Sequence, residues 1–334
     1  MPGRVTMAQV AREAQVSLMT VSRVINGKEG VSQATRERVQ AVIERLDYHP
    51  SDIARGLVTK RTGTLGLVVP DVANPFFAEV ARGAEHVAYD AGYNVFLCNT
   101  GEDTQRELKV LRSLEEKRVD GVMVCSPRLE EGMLEEAVAR HQAAVLFNRQ
   151  LESEDACVVM VDDRAGGQMA TQHLLQSGHR AIGLLSGPPA SQSSRWRAEG
   201  YRVALAAAGV LYNPNWTCHS LPTVEGGREV ARGLLIDNPE LAALFCYNDL
   251  VAIGALQACA DLGRAVPTDV AIVGFDDIPM ASLVSPTLTT CRVPRYELGS
   301  EAMRLLLEKI NGCAEKGYKE IVLLPELVVR DSAP

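Results

Sequence analysis

A short run of hydrogen-bonding and cationic side chains lies near the start of the chain. Ser17, Thr20, Ser22 and Asn26 are compact donors and acceptors, and Arg23 lies among them. Arginine fits the O6 and N7 edge of guanine, whereas small hydroxyls and amides commonly contact phosphate oxygens. This run therefore predicts contact with a nucleic acid.

Two short helices must position these side chains. Thr6 and Gln9 match a capping box, and apolar residues recur at helical spacing from Met7 to Ala14. A turn should follow, with Ser17 capping a second helix and Gly27 ending it. The pattern predicts a helix-turn-helix, whose second helix lies in the major groove of DNA; the alternative is an ordinary helical hairpin.

Each polar or exposed side chain of this helix pair has an expected role on DNA. Leu18, Met19 and Arg23 would face base edges, Arg23 toward a guanine and the other two in apolar contact with a thymine methyl. The hydroxyl and amide groups would fix the register on phosphates; they belong to Thr6, Ser17, Thr20, Ser22, Asn26 and Ser32.

The charge distribution agrees with a DNA-binding segment. The 334-residue chain has a net charge of −8, but residues 1–62 carry +4 and the remainder −12. A basic segment on an acidic body is typical of a phosphate-binding module attached to a larger domain. We rely more on the motif than on this modest excess.

Several other protein classes are disfavoured. No apolar run is long enough to cross a membrane and the N-terminus is polar, so we expect a cytoplasmic protein without a membrane partner. Eight scattered cysteines and dispersed histidines predict buried thiols, with no metal site and no cofactor. Acidic neighbours such as Asp162-Asp163 point to opposite sides, and no nucleophile motif or phosphate loop occurs, so we expect no enzyme activity.

Several separate motifs resemble the headpiece of the lactose-repressor/galactose-repressor family. They are Val5 to Asn26, Val31 to Arg36, Leu46-Asp47-Tyr48-His49-Pro50 and Ile53-Ala54-Arg55-Gly56-Leu57. The resemblance implies a homodimer on a pseudopalindromic operator and a hinge helix over Ser51–Val58. It also implies that Arg55 contacts DNA and that Leu57 enters the minor groove as an apolar wedge. The alternative is that Leu57 packs on its own headpiece.

From Thr64 onward, apolar strands alternate with amphipathic helices in two similar rounds. This pattern predicts an α/β class with two doubly wound parallel sheets. The resemblance implies a periplasmic-binding-protein fold with two subdomains. The chain would cross from one subdomain to the other near Asp162, Arg292 and Leu323. We therefore expect a headpiece (1–50), a hinge and linker (51–63) and an effector domain (64–334), with one subdomain at 64–161 and 293–322 and the other at 162–292 and 323–334.

Polar side chains follow many of these strands, where a ligand cleft is expected. The set resembles the sugar-contacting residues of ribose-binding proteins and related repressors; it comprises Asn74, Phe76, Phe77, Asn148, Arg149, Trp196, Arg197, Asn248, Asp276 and Arg292. Asn148 departs from this resemblance, because the sugar-binding proteins usually carry an aspartate before the arginine.

Other roles remain open for these residues. Asn74 and Asp276 could cap helices, Arg149 and Arg197 could pair with Asp249 or Asp277, and Phe77 could belong to the core more than Phe76 does.

The sequence thus favours a dimeric DNA-binding regulator that represses carbohydrate metabolism genes. A small effector would control its operator affinity, and a sugar is the favoured effector. One alternative is a regulator that depends on a purine-type corepressor. The other is a cytoplasmic solute-binding or sensor protein with an accessory helical domain, which would show no salt-dependent operator binding.

Overall fold

The computed structural model describes residues 5–25, 27–48, 61–151, 157–313 and 317–334. Helices and strands are numbered in chain order within these residues. The chain divides into two units, Met1–Gly63 and Thr64–Pro334.

The first unit contains α1 (Met7–Glu13), α2 (Leu18–Ile25) and α3 (Gln33–Arg45). The capping box is confirmed, because Gln9 N donates to Thr6 Oγ1 at 3.3 Å and Thr6 N donates to Gln9 Oε1 at 2.7 Å. Gln15 adopts a φ of 52° in the turn between α1 and α2. Apolar side chains from all three helices form one small core, which includes Val10, Ala14, Val21, Val24, Val39 and Val42.

Six parallel strands form the first sheet of the second unit. In chain order they are β1 (Thr64–Val69), β2 (Asn94–Asn99), β3 (Gly121–Cys125), β4 (Ala144–Phe147), β5 (Cys157–Val161) and β11 (Lys319–Leu323). Their spatial order is β11-β5-β4-β3-β1-β2. The helices of this half are α4 (Pro75–Asp90), α5 (Thr104–Glu116), α6 (Glu131–Ala139) and α11 (Arg295–Ile310), and α11 packs against α4.

The second sheet also has six strands. They are β6 (Ile182–Ser186), β7 (Thr217–His219), β8 (Ala243–Cys246), β9 (Ala271–Asp276), β10 (Thr289–Arg292) and β12 (Glu326–Val328). Their spatial order is β12-β10-β9-β8-β6-β7, and only the β10–β12 pair is antiparallel among the described strands. The helices of this half are α7 (Asp163–Gln176), α8 (Gln192–Ala207), α9 (Val224–Asp237) and α10 (Asp249–Asp261).

The chain passes between the two sheets after β5, after β10 and after β11. Strands such as β3 and β6 are buried at every residue, because helices cover both faces of a parallel sheet. The predicted fold class, a small helical headpiece followed by two doubly wound parallel-dominated sheets, is confirmed. In the part of the chain that the structure describes, every helix is too short or too polar to cross a membrane.

Candidate functional site

The outer face of α2 presents the side chains expected to meet DNA. Leu18 and Met19 are exposed by 52% and 67%, and Arg23 is also exposed. Val21 and Val24 on the opposite face are buried in the headpiece core. Large apolar side chains left in water on a short amphipathic helix indicate a contact surface. The α2 face can therefore offer both apolar and guanidinium contacts to base edges.

The hydroxyls expected to contact phosphate also cap helices. Ser17 Oγ accepts a hydrogen bond from Thr20 N at 3.1 Å and lies 2.9 Å from Thr20 Oγ1. Ser32 Oγ accepts from Thr35 N at 3.4 Å, and Thr6 caps α1. Thr6 Oγ1 also donates to Gln9 Oε1 at 3.2 Å, so its hydroxyl hydrogen is engaged. In the Ser17–Thr20 pair one of the two hydroxyl hydrogens stays available for a phosphate oxygen, so capping and phosphate contact are compatible there. Ser22 is half-buried on α2, and Asn26, Arg55 and Leu57 lie outside the described residues.

A narrow cavity lies between the two halves of the second unit. Its volume is about 20 Å³, room for about one water molecule. Among the residues that line it are seven of the ten predicted effector residues: Asn74, Phe76, Phe77, Asn148, Arg197, Asn248 and Asp276. The first four belong to the first half and the last three to the second, so both halves supply polar groups to this cleft.

Strand ends and helix starts position these side chains. Asn74 Oδ1 accepts from Phe76 N at 3.0 Å and Asn248 Oδ1 from Val251 N at 2.9 Å, so each caps the helix that follows it. Asn148 Oδ1 accepts from Val161 N at 3.0 Å. Each of these contacts uses the amide carbonyl oxygen, so none of them occupies the NH₂ group of the asparagine.

Three lining residues adopt left-handed backbone conformations directly at or after strand ends. Ser126 has a φ of 44°, Asn148 of 51° and Asp276 of 108°. Such conformations cost free energy for non-glycine residues and persist where the surrounding structure enforces them, which is common at ligand sites. Asp276 does not cap a helix, since the next helical turn, Pro279–Ser282, has Ile278 at its N-cap.

Arg197 is the central charged group of the cleft. Its Nε lies 2.7 Å from Asp163 Oδ1, and its Nη2 lies 3.7 Å from Asp276 Oδ1. Its Nη1 donates to Tyr247 O at 2.5 Å, and its guanidinium carbon lies 3.6 Å from the centre of the Phe275 ring. Burial alone would lower the pKa of Arg197, but the charges of Asp163 and Asp276 outweigh it and the pKa is raised. Arg197 therefore stays a cation in the closed cleft.

Two buried acidic groups lie near the cleft, and of the two only Asp276 lines it. Burial raises the pKa of Asp276 to about 7, although Arg197 and Arg295 act to lower it. Burial also raises the pKa of Asp249 well above its ordinary value, even though it accepts from Thr290 Oγ1 at 2.5 Å. Asp276 lines the cavity and can accept or donate a hydrogen bond near neutral pH. Asp249 does not line the cavity; it stabilises the structure behind Asp276 through its hydrogen bond with Thr290.

Two further alternative roles are wrong in this structure. Arg197 pairs with Asp163 and Asp276, not with Asp249 or Asp277, because α8 presents it to the start of α7 and the end of β9. Phe76 and Phe77 are both buried and both line the cavity, with ring centroids 5.1 Å apart in an edge-to-face pair. Neither belongs to the core more than the other.

Three predicted residues do not line the cavity. Arg149 is buried beside it, donates to Leu129 O at 3.3 Å, and has no hydrogen-bond partner for its Nε among the described residues. Trp196 packs against the apolar cluster of the first half. Arg292 is half-exposed and pairs with Asp277 at 2.7 Å.

Sequence reasoning missed an ion pair in the cleft wall. Arg128 Nε and Nη2 lie 2.5 and 2.9 Å from the two carboxylate oxygens of Glu102, and Nη1 donates to Ser126 O at 2.7 Å. The missed lining residues are Asp71, Glu102, Ser126, Arg128, Ser193, Pro222 and Tyr247. Glu102 and Arg128 follow β2 and β3, so the strand-end rule applied to every strand would have found them.

The described residues assemble no metal-binding site. Within those ranges no group of His, Cys, Asp and Glu is arranged to hold a metal ion. The cleft instead offers amide, hydroxyl, guanidinium and carboxylate groups beside two phenyl rings. This arrangement is suited to reversible binding of a small polar molecule.

Each of the two units matches a known protein family. Residues 6–51 match the model of bacterial regulatory proteins of the lacI family, and residues 62–324 match that of periplasmic binding proteins and the sugar-binding domain of the LacI family. A ribose operon repressor of Haemophilus influenzae is 37% identical over 328 residues, covering 98% of each chain. The transcriptional repressor PurR of Photobacterium profundum is 36% identical over 331 residues, again covering 98% of each.

A solved structure shows the same architecture over the full length. The lac repressor dimer bound to operator and the anti-inducer ONPF has a TM-score of 0.87 and 26% identity, covering 99% of each chain. The matching family models together span nearly all of the sequence. The chain belongs to the LacI family of bacterial transcriptional regulators, which are DNA-binding proteins and not enzymes.

Proposed function

We propose that this protein is a dimeric repressor of carbohydrate metabolism genes whose operator affinity is controlled by a sugar bound in the cleft. It acts in the cytoplasm, where the chromosome is. The observation that carries this proposal is the cavity lined from both halves by amide, guanidinium and carboxylate groups together with Phe76 and Phe77.

The lining groups match the chemistry of a sugar. Each sugar hydroxyl both donates and accepts, so a site needs donors and acceptors side by side. Arg197 and Asn248 supply donors, whereas Asp276 supplies an acceptor. Ser193 Oγ is buried in the lining without a hydrogen-bond partner among the described residues, which fits a ligand hydroxyl. The phenyl rings can cover the apolar face of the ligand ring.

The size of the cleft supports a regulatory motion. A cavity of about 20 Å³ is too small for a monosaccharide, so the two halves must separate before a sugar enters. Three chain crossings connect the halves and can serve as the hinge. A ligand that binds one arrangement better shifts the population toward it. We propose that the sugar-bound arrangement separates the paired headpieces and releases DNA.

The headpiece is proposed to occupy residues 1–50 and the hinge and linker residues 51–63. The effector domain, residues 64–334, would divide into subdomains at 64–161 with 293–322 and at 162–292 with 323–334. On DNA, Arg23 would bind a guanine edge, while Arg55 and Leu57 of the hinge would contact the centre of a pseudopalindromic operator.

A thermal-shift screen tests the effector class. Purified protein would be melted with pentoses, hexoses and nucleobases, since a ligand present at 100 times its Kd stabilises by about 2.7 kcal/mol. We expect a pentose or hexose to raise the Tm in the wild type and to have a much smaller effect in Asn248→Ala. Stabilisation by nucleobases alone would reject the sugar and favour a purine-type corepressor.

Operator binding tests the second part of the proposal. The sugar found in the screen should weaken binding to the cognate operator, and binding should fall steeply as salt rises. Sugar binding with no DNA affinity at low salt would identify a solute sensor instead of a repressor.

A further inference from the structure

A second cavity, which shares no lining residue with the cleft, lies in the second half. It is bounded by one face of α8, by β6 and β7 and by the loop before β7, and its volume is about 320 Å³. Small-molecule sites begin at about 300 Å³. Arg195, Arg202 and His219 contribute to its lining, and no carboxylate does. We call it the α8 pocket.

The two arginines of the α8 pocket are not neutralised. They are seven residues apart on α8, which places them on the same helix face about 10 Å apart along its axis. Among the described residues, the Arg202 side chain donates only to Ala198 O of its own helix, at 3.2 Å. Its guanidinium carbon lies 5.9 Å from the centre of the Tyr212 ring. Arg195 is exposed, and its guanidinium group forms no hydrogen bond or ion pair with any described residue.

Two other exposed arginines of this half have acidic partners. Arg164 pairs with Glu199 at 3.5 Å, and Arg228 pairs with Asp261 at 2.7 Å. The α8 pocket, by contrast, brings together two guanidinium groups that form no ion pair with the described residues. Such a concentration of positive charge attracts anions.

The floor of the α8 pocket is polar and buried. Ser186 Oγ and Ser194 Oγ are 2.9 Å apart, and both serines are nearly inaccessible to solvent. One hydroxyl hydrogen serves their mutual bond, which leaves the other for an acceptor in the pocket. His219 Nδ1 lies 2.8 Å from Gly187 O, and this contact orients the ring and leaves Nε2 available.

We propose that the α8 pocket binds a phosphorylated small molecule, such as a sugar phosphate, as a second ligand of this regulator. Guanidinium groups bind phosphate oxygens through charge-assisted hydrogen bonds, and the serine hydroxyls would contact the remainder of the ligand. The separation of Arg195 and Arg202 favours a ligand longer than a bare phosphate ion. The same helix carries Arg197, which lines the cleft. A ligand bound in the α8 pocket would therefore affect effector binding through α8.

Isothermal titration of the full chain with glucose 6-phosphate tests the proposal, with glucose and inorganic phosphate as comparison ligands. We expect glucose 6-phosphate to bind the wild type and to bind at least tenfold more weakly to an Arg195→Ala/Arg202→Ala double variant. The matched control is Arg232→Ala, an exposed arginine on α9 outside the pocket, and it should bind as the wild type does. The Tm of each variant verifies that the fold is retained.

An Asp276→Asn variant distinguishes the two sites. Glucose 6-phosphate binding that persists in Asp276→Asn and disappears in the double variant would place the ligand in the α8 pocket. Equal binding of inorganic phosphate, lost in the same way, would identify free phosphate as the anion. No binding to the wild type, or binding that the double variant keeps, would overturn the proposal whether or not the cleft binds a sugar.

Discussion

Replacing Arg197 with methionine should destabilise the second unit strongly. Arg197 and Asp163 form a buried ion pair with an Nε–Oδ1 distance of 2.7 Å, and their side chains are exposed by only 5% and 2%. Removing one partner of such a pair typically costs about 3–5 kcal/mol, because the other charge stays buried and uncompensated. Methionine keeps most of the apolar stem, so the loss of unfolding free energy is due chiefly to removal of the charge.

The expected effect can be measured by thermal unfolding followed by circular dichroism. For a domain of this size, about 3–5 kcal/mol corresponds to a Tm decrease of roughly 6–10 °C. Arg164→Met is the matched control, since Arg164 is the exposed arginine of the Glu199 pair, and its loss should cost at most about 1 kcal/mol. Adding Asp163→Asn to Arg197→Met should recover part of the lost Tm, because the unpaired carboxylate is then gone.

Two results would refute this reasoning. A Tm decrease no larger than that of Arg164→Met would mean that the buried pair contributes little. A double variant less stable than Arg197→Met would mean that Asp163 contributes mainly through other contacts, such as its place in the first turn of α7.

Three further predictions concern the headpiece, the base of the cleft and its rim. Arg23→Ala should lose about 1–3 kcal/mol of operator affinity at one base position in a binding assay with single-base operator variants; equal weakening on all sequences would contradict base reading. Because burial raises the pKa of Asp276 to about 7, its contribution to stability is largest below pH 4 and declines as the pH rises to 7. Unfolding free energies measured from pH 4 to 8 should therefore fall relative to those of Asp276→Asn, and parallel curves would reject the raised pKa. Asn248→Ala should lose about 1 kcal/mol of stability as a helix cap and at least tenfold in effector affinity by titration. Thr223→Ala, which removes the cap of α9 outside the cavity lining, should lose only the stability, and an equal loss of effector affinity would count against Asn248 as a ligand contact.

Local patterns in the sequence predicted local structure well. The capping box of Thr6 and the caps at Ser17 and Asn74 depend on residues within a few positions of each other, so the sequence alone could identify them. The cap considered at Asp276 does not form. The same applies to the alternation of apolar strands and amphipathic helices, which has a clear period.

Contacts that depend on strand order were harder to predict from the sequence. Glu102 and Arg128 come from the ends of β2 and β3, which are separated in the sheet by β1, and nothing in their sequence spacing indicates that they meet. The segment from Arg195 to Arg197 shows a second limit. Adjacent helical residues point in different directions, so only the packing of α8 decides that Arg197 enters the cleft, Trp196 packs on the first half and Arg195 faces the α8 pocket.

The left-handed backbone at Asn148 and Asp276 restricts how the ligand preference of this cleft can change. Only glycine, asparagine and aspartate adopt such conformations at low cost. Most substitutions at these two positions would strain the chain before they altered any ligand contact. A library made to obtain a new effector should therefore leave positions 148 and 276 nearly unchanged. It should vary Phe76, Ser193 and Tyr247, whose backbones carry no such restriction.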